Sequence, residues 1–552
     1  MWPAFVRATF KTGDFYQEFG GKGFSAWQLL WDQNLADMWE WLATNRGSHT
    51  FLEFHGKDGS QRDFTYAEFN AYINRVANLL CSVGVTAGQN VGVQLYNSPE
   101  HIACCMACAK LGAVAVPINM QHTLAECVYV FEKCDISVVI AEPDCQCYYC
   151  AGVESCIAGP LGGEPYPVPT LFIAHAGDEG LFGTARDFDA EVAEQASELS
   201  TSTDIDPLDT AMIIFTSGTT SDPKGVELTH ANMLYGGYYG DWQCNLSPDD
   251  RLLTTMPAFH SNFQTAALMP VLTCGATLVF VEKYSARRYW SQVREFGATS
   301  LQLVAMMART LMMQPVVEGE RDHNVKSVQY YLAIEESEKD EFENRFGVRL
   351  QNCYGLTESV CWVTTDLPYG ERRWPSVGRS GLGYDVRVVD SEGNVLPAGE
   401  VGDIVFHGEM GVSLMKSYYN DEAATNSCVD CKGWMRSGDK GYFDEGGWMY
   451  FVDRKSNMIK RAGENISASE VEEVLNTFPG LAEVAVIGVD DPVRDQAVKA
   501  FLVFEPNVEP DVEAVLEHCR HNLAHFKVPT IVEVVDALPH TSVGKCAKKL
   551  LH

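Results

Sequence analysis

Residues 213–225 read Ile-Ile-Phe-Thr-Ser-Gly-Thr-Thr-Ser-Asp-Pro-Lys-Gly. An apolar run ends abruptly in glycine, small hydroxyl residues and one lysine. Gly218 and Gly225 admit backbone angles closed to other residues. Thr216, Ser217, Thr219, Thr220 and Ser221 set hydroxyls beside backbone N–H groups. Such a turn can wrap anionic oxygens, and Lys224 adds a point charge, so the ligand it suits is a polyphosphate. It is not the usual phosphate loop, which needs Gly before the lysine and Ser or Thr after it; here Pro223 precedes Lys224 and Gly225 follows. A polar surface loop after a core strand is the plain alternative, and only further motifs separate the two.

Two such motifs follow. In Asn352-Cys-Tyr-Gly-Leu-Thr-Glu-Ser359, Tyr354 offers a flat face to a nucleobase, Thr357 a hydroxyl to phosphate, and Glu358 a hard oxygen suited to Mg²⁺. In Arg436-Ser-Gly-Asp439, an aspartate in a glycine turn can accept both hydroxyls of a ribose. Each segment alone also reads as a turn, a helix cap or a surface charge. Their order along one chain favours a nucleotide.

Thr-Ser-Gly-Thr-Thr-x-x-Pro-Lys-Gly resembles the phosphate loop of the adenylate-forming enzymes: acyl-CoA synthetases, luciferases and peptide-synthetase adenylation domains. Tyr354-Gly355-Leu-Thr357-Glu358 matches that family's segment beside the nucleotide. The resemblance covers about residues 30–550 and implies an α/β chain. It would have a large N-terminal domain, 1–453, of two parallel α/β sheet subdomains plus a small β-barrel-like subdomain. A small mobile α+β domain, 454–552, would carry a catalytic lysine. It also implies ATP, Mg²⁺ and CoA as reactants and cofactor. By resemblance, Asp439 and Arg454 reach the ribose or phosphates, and Lys460-Arg-Ala-Gly463-Glu-Asn465 lines a pantetheine tunnel. The usual form of that loop has two glycines where this chain has Ala462-Gly463, and the family hinge is often Asp or Lys where this chain has Ser456. Pro539-His-Thr-Ser-Val-Gly-Lys545 matches the final motif, whose ammonium stabilises charge built up when a carboxylate attacks the α-phosphate. Lys545, Lys548 and Lys549 otherwise read as a solvated basic end, and the Gly-Lys placement singles out Lys545.

Several stretches resemble, within that family, the group of bacterial ligases that act on crotonobetaine and carnitine: Tyr238-Tyr-Gly-Asp-Trp-Gln-Cys244, Met256-Pro-Ala-Phe-His260 and Arg372-Arg-Trp-Pro-Ser-Val-Gly-Arg379 among them. Such substrates carry a carboxylate at one end and a trimethylammonium at the other. A quaternary ammonium is held by aromatic faces and negative field. Tyr238 and Trp242 stand four apart on a predicted helix beginning near Thr229, so both can face one pocket; equally, they can pack that helix onto the sheet. His260 reads as a pocket wall or gate, and Ala333 stands where that group often carries Asn.

Alternating elements must position these residues. Helical patterns over Thr65–Val83, Pro99–Leu111 and Ala286–Phe296 alternate with strand-like runs at Asn90–Leu95, Gly112–Pro117, Ser137–Ala141, Ala211–Phe215, 251–256 and 276–281. That alternation predicts parallel sheets covered on both faces. Residues 146–207 read as a loop-rich connection. Val386–Val389, Gly402–His407 and Trp448–Val452 read as short strands of a small β unit. Ser467-Ala-Ser-Glu470 is a capping-box signature, Val484–Val489 and Ala497–Phe504 read as paired strands, and Asp511–Leu523 as a helix.

Composition narrows the class. The 552 residues carry a net charge of −33, which argues against nucleic-acid partners or an anionic membrane surface but not against a small anion held by a few donors. No apolar run reaches the length of a membrane span, and Met1–Gly20 lacks the basic-then-apolar order of a signal peptide, so the expectation is a soluble cytoplasmic protein. The 18 cysteines are expected to be reduced; Cys145, Cys147, Cys150 and Cys156 lack the spacing of paired metal ligands. The expected activity is ATP-dependent ligation of a small carboxylic acid to CoA. An adenylation enzyme loading a carrier protein, and a nucleotide-binding protein without catalysis, share these motifs. Nothing in the sequence sets the oligomeric state.

Overall fold

The computed structural model describes residues 33–148, 170–177, 181, 183–201, 203–216, 223–331, 334, 336–454, 458–505, 508–539 and 548–552. Two large sheets dominate. An eight-stranded sheet has Asn90–Gln94 at its centre, flanked by Val114–Pro117 and Val138–Ala141 in parallel register. A nine-stranded sheet runs in parallel from Leu350–Gly355 through Ser327–Tyr331, Ser300–Val304 and Arg251–Thr254 to Thr277–Val281 and Thr50–His55. Antiparallel strands flank the parallel run of both: Lys224–Thr229 beside Thr210–Thr216 in the first, Gln61–Thr65 and Trp362–Thr365 in the second.

The helices start where short polar side chains satisfy their open N–H groups. Thr65, Thr123 and Thr229 each form a reciprocal cap with the residue three further on. Pro99–Leu111 begins on Ser98 and ends at Gly112 with φ +66°, a left-handed turn that glycine makes without strain. Its cysteines, Cys104, Cys105 and Cys108, are buried as small apolar residues. Cys145 is buried as well, whereas the side chains of Cys147, Cys150 and Cys156 lie outside the described residues.

Segment 146–207 is not only a connection. Thr170–Ile173 and Arg186–Asp187 extend the eight-stranded sheet in parallel, and a helix covers Phe188–Ala193. The Pro/Gly-rich flanks conceal a strand of only four residues, too short for a periodicity to register. A four-stranded antiparallel sheet, Asp385–Val389, Gly402–His407, Trp434–Phe443 and Met449–Arg454, forms the small β unit. The last hundred residues make a five-stranded sheet with helices Ala468–Asn476 and Val512–Asn522 around a separate apolar core. No helix of the described residues is long and apolar enough to cross a membrane.

The nine-stranded sheet carries a buried polar ladder. Thr254 Oγ1 donates to Gln302 Oε1 at 2.6 Å, and Gln302 Nε2 donates to the Tyr331 hydroxyl at 2.9 Å and to the Asn262 carbonyl at 3.0 Å. Buried amides must find partners or lose the free energy of desolvation. Their pairing therefore ties Tyr331 and Asn262 into one arrangement at the end of the sheet.

Candidate active site

A cavity of about 450 Å³ opens where the two large sheets, the small β unit and the last hundred residues meet. Thr216 ends a buried strand, and Lys224 begins its antiparallel neighbour directly opposite. Ser217, Gly218, Thr219 and Thr220, which follow Thr216 in the chain, lie outside the described residues, as do Ala333, Ser456 and Lys545. Thr216 lines the cavity, and the Lys224 ammonium stands 5.0 Å over the ring of Tyr418. Tyr418 in turn donates to Glu358 Oε1 at 2.7 Å.

Tyr354 and Asp439 are far apart in the chain and adjacent in space: the tyrosine hydroxyl donates to Asp439 Oδ2 at 2.6 Å. Asp439 is 1% exposed and stands opposite Arg454 across two antiparallel strands. Phe451 lies 5.9 Å from the Tyr354 ring on the same wall. Thr357 Oγ1 is 3.2 Å from Ser261 Oγ. His260 lines the cavity, where its Nδ1 accepts from the Asn262 N–H at 3.3 Å and starts a short helix. That helix runs into a π-helical stretch, Gln264–Leu268, whose Thr265 also faces the cavity.

Tyr354-Gly355-Leu-Thr-Glu owes its shape to two features without a local signature. Gly355 sits at a bulge opposite Trp362, where a Cβ would overlap the Cys361 carbonyl oxygen and come within 3.0 Å of the Trp362 Cα. Val360 has φ +60° and ψ −49°, the strained hand of a γ-turn, closed by the Cys361 N–H to the Ser359 carbonyl at 2.5 Å. Such a conformation costs a β-branched residue roughly 1–3 kcal/mol. Thr265 Oγ1 donates to the Val360 carbonyl at 2.8 Å and the Tyr384 hydroxyl donates to the Ser359 carbonyl, so both sides of the turn are fixed.

The last hundred residues contribute Lys460, Gly463, Glu464, Phe526 and Lys527 to the same cavity. Ala462 and Gly463 both have positive φ, +52° and +92°. Alanine there bears a left-handed strain of about 1 kcal/mol that glycine would not. The Lys460 ammonium lies 4.4 Å over the Phe451 ring. His122, which the motifs do not reveal, lines this side too. Burial pulls its ring down to about 4, with Glu126 opposing and Lys527 adding to the shift, so it is neutral near pH 7.

Tyr238 and Trp242 are not on the cavity wall. They are 5% and 6% exposed on helix His230–Cys244, whose Gly236, Gly237 and Gly240 let Thr265, Thr273 and Pro270 approach closely. Of the two readings that their spacing allows, packing is the one realised. The aromatic wall is instead Tyr331 stacked on Trp362, with centroids 4.5 Å apart, together with Phe259.

One buried carboxyl behind the site titrates near neutrality. Asp366 Oδ2 accepts the Asn352 N–H at 3.2 Å, and burial pushes the group up from 3.8 to about 7 despite Arg372 and that N–H. The folded chain then holds a proton that the unfolded chain releases, so stability falls as pH rises from about 4 to 7. Asp366→Asn is expected to flatten the melting temperature across that window and raise it at pH 8. A thermal-melt series at stepped pH reads this out, and an unchanged slope would refute the assignment.

Residues 39–419 match the family model described as AMP-binding enzyme, and residues 470–545 match the AMP-binding enzyme C-terminal domain. The chain belongs to the AMP-binding enzyme family, the adenylate-forming acid–thiol ligases that use ATP and CoA. It is 40% identical over 528 residues to crotonobetaine/carnitine–CoA ligase of Salmonella heidelberg strain SL476, covering 95% of this chain and 99% of that relative. Its fold matches an o-succinylbenzoate CoA synthetase from Bacillus subtilis at TM-score 0.79 and 24% identity, over 94% of this chain and 98% of that one. It also matches an amide bond synthetase from Marinactinospora thermotolerans at TM-score 0.80 and 24% identity, over 94% and 99%.

Proposed function

We propose that the chain joins a small quaternary-ammonium carboxylic acid, of the crotonobetaine, carnitine or γ-butyrobetaine kind, to CoA. In the first step a carboxylate oxygen attacks the α-phosphorus of ATP, forming an acyl-adenylate and releasing diphosphate. In the second the thiol of CoA attacks the acyl carbonyl and loses its proton, and AMP leaves with the C–O bonding pair. The observation that carries this reading is the shared cavity, where Thr216, Tyr354, Glu358 and Asp439 face the Gly463 loop of the last hundred residues.

The residues divide the work by chemistry. Tyr354 stacks on the adenine, and Asp439, oriented by the Tyr354 hydroxyl, accepts the ribose hydroxyls with Arg454 nearby. The Thr216–Thr220 turn, Lys224 and Thr357 hold the phosphates. Glu358 fits Mg²⁺, because Tyr418 occupies one carboxylate oxygen and the residue lines the cavity; the ion would supply charge neutralisation at the phosphates. Lys545 serves the α-phosphate in the first step. Gly463 lies at the cavity here, an arrangement suited to admitting a thiol in the second. The division into 1–453 and 454–552, with rotation near Ser456 exchanging Lys545 for Gly463, is part of the same proposal.

The betaine assignment is supported by the relative's substrate and by the acyl side of the cavity. Tyr331, Trp362 and Phe259 offer ring faces, which attract an onium by about 0.5–2 kcal/mol each. Diphosphate release should be measured with crotonobetaine, carnitine, γ-butyrobetaine and 5,5-dimethylhexanoate, the isostere of the last betaine with neutral carbon in place of the onium nitrogen, with and without CoA. A cation preference is expected. Trp362→Leu should lower kcat/KM for γ-butyrobetaine about tenfold and that for the isostere much less. Equal losses would remove the cation role, and turnover without consumption of CoA would point to a carrier-bound thiol or another acceptor.

A further inference from the structure

Among the described residues, two ion pairs tie the last hundred residues to the rest of the chain, one at the root of the Gly463 loop and one at Lys527, which lines the same cavity. In the first, Lys527 Nζ lies 2.5 Å from Glu126 Oε1 and 2.6 Å from Glu470 Oε1, with side-chain exposures of 5%, 11% and 12%. Glu126 is set in advance: its other oxygen accepts the Thr123 N–H at 2.7 Å and the Thr123 hydroxyl at 3.0 Å, as the helix cap. In the second, Arg309 Nη1 donates to Asp495 Oδ1 at 2.9 Å, and Arg309 Nε donates to Glu338 Oε1 at 3.1 Å. Asp495 is the cross-strand partner of Arg461, and the neighbouring Arg494 carbonyl accepts the Ala462 N–H at 2.9 Å. The second pair therefore grips the root of the loop itself. A Cβ on Gly463 would lie 3.7 Å from Val304, which ends the strand leading into the helix that carries Arg309.

The polarity of the two pairs is opposite. One cation comes from the C-terminal part and the other from the N-terminal part, so each side presents one positive and one negative contact. Desolvation cancels much of the Coulomb attraction of buried pairs, so they add little net stability. Removing Arg309 is different, because it takes the guanidinium from Asp495 in the interface, and removing Glu126 leaves Lys527 with Glu470 alone. Either cost arises only while the two parts are docked in this way; once they separate, the same groups regain water. The pairs thus select an arrangement rather than stabilise the fold.

We propose that Arg309–Asp495 and Glu126–Lys527 are positioning pairs for thioester formation, holding the Gly463 loop on the cavity without touching the reacting atoms. The inference rests on the two-step reading above. Arg309→Met and Glu126→Gln are the variants of choice: neither residue lines the cavity, and glutamine keeps the helix cap. Each should slow thioester formation from preformed acyl-adenylate about tenfold or more while leaving ATP–diphosphate exchange at the parental rate. Arg309→Lys should recover most of the loss. Hydrogen exchange without substrates should show faster exchange at the Ala462 amide in Arg309→Met, with core strands such as Ser300–Val304 unchanged. Equal slowing of both half-reactions, or parental thioester formation together with unchanged exchange at Ala462, would overturn the proposal. If the parent protein turned over no acid, the ligase reading would fail, while the exchange measurement would still show whether the pair holds the loop.

Discussion

Lys545→Ala should abolish most acyl-adenylate formation while thioester formation from supplied acyl-adenylate continues. The argument is electrostatic. Attack by a carboxylate on an α-phosphate brings two anionic groups together, and charge accumulates on the phosphate oxygens. A single fixed ammonium at that point stabilises the transition state more than the ground state, and losing one such donor costs about 10²–10³ in rate. Lys545 lies outside the described residues, and in the arrangement seen here the Gly463 loop faces the cavity. On the proposed two-step reading, the lysine serves the first step and is dispensable in the second. ATP–diphosphate exchange and single-turnover thioester formation measure the two halves separately. Parental exchange in the variant would remove the lysine from the mechanism, and equal loss in both steps would give it a structural role. ATP binding itself should survive, because the proposed function assigns the base, ribose and phosphate contacts to other residues.

Much of the scaffold was legible because its signals are local. Pro99–Leu111 is bounded by a serine cap and a glycine that the chain displays openly, and Thr229 marks the start of the helix His230–Cys244. The strand pair near 484–504 and the helix after Asp511 are equally explicit. That Tyr354, Glu358 and Asp439 belong to one polar site was also readable, since they lie in short motifs whose chemistry is intrinsic to them, and all three line the cavity.

What escaped was decided by distant partners. Ser467-Ala-Ser-Glu470 has the form of a reciprocal cap, and Ser467 does accept the Glu470 N–H. The Glu470 carboxylate, however, is drawn to Lys527, a cation from a turn after the next helix, which outcompetes a backbone amide. Lys548, expected as a solvated charge, pairs with Glu472. Tyr238 and Trp242 have spacing that suits a pocket, but close-packed glycines on their helix bring a neighbouring helix over it. Tyr331, Trp362 and His122 reach the cavity from three unrelated segments, and no window of sequence contains the relation. A pocket wall is a property of strand order, whereas a cap is a property of four residues.

Gly355→Ala is the sharpest test of how geometry is set in this site. The added methyl would overlap the Cys361 carbonyl oxygen and press on the Trp362 Cα, and both obstacles are backbone. Neither can rotate away as a side chain would. Cys361 closes the strained turn at Val360, which Thr265 and Tyr384 hold from either side, so the turn cannot yield cheaply. Relief must come from Gly355 itself, which carries Tyr354 on one side and Leu356-Thr357-Glu358 on the other. The Tyr354 ring and the Thr357 and Glu358 side chains, which the proposed function assigns to base, phosphate and metal, would then shift together. A displacement near 1 Å is enough to lower a rate about 10²-fold. Both half-reactions should fall by about that factor, with KM for ATP raised, whereas Lys545→Ala affects one half alone. Circular dichroism and the melting temperature should show a folded protein, because the strained turn lies in the connection between Leu350–Gly355 and Trp362–Thr365 and the cores elsewhere are untouched. Parental activity in Gly355→Ala would mean that the bulge opposite Trp362 relaxes freely, and that the motif does not owe its shape to this contact.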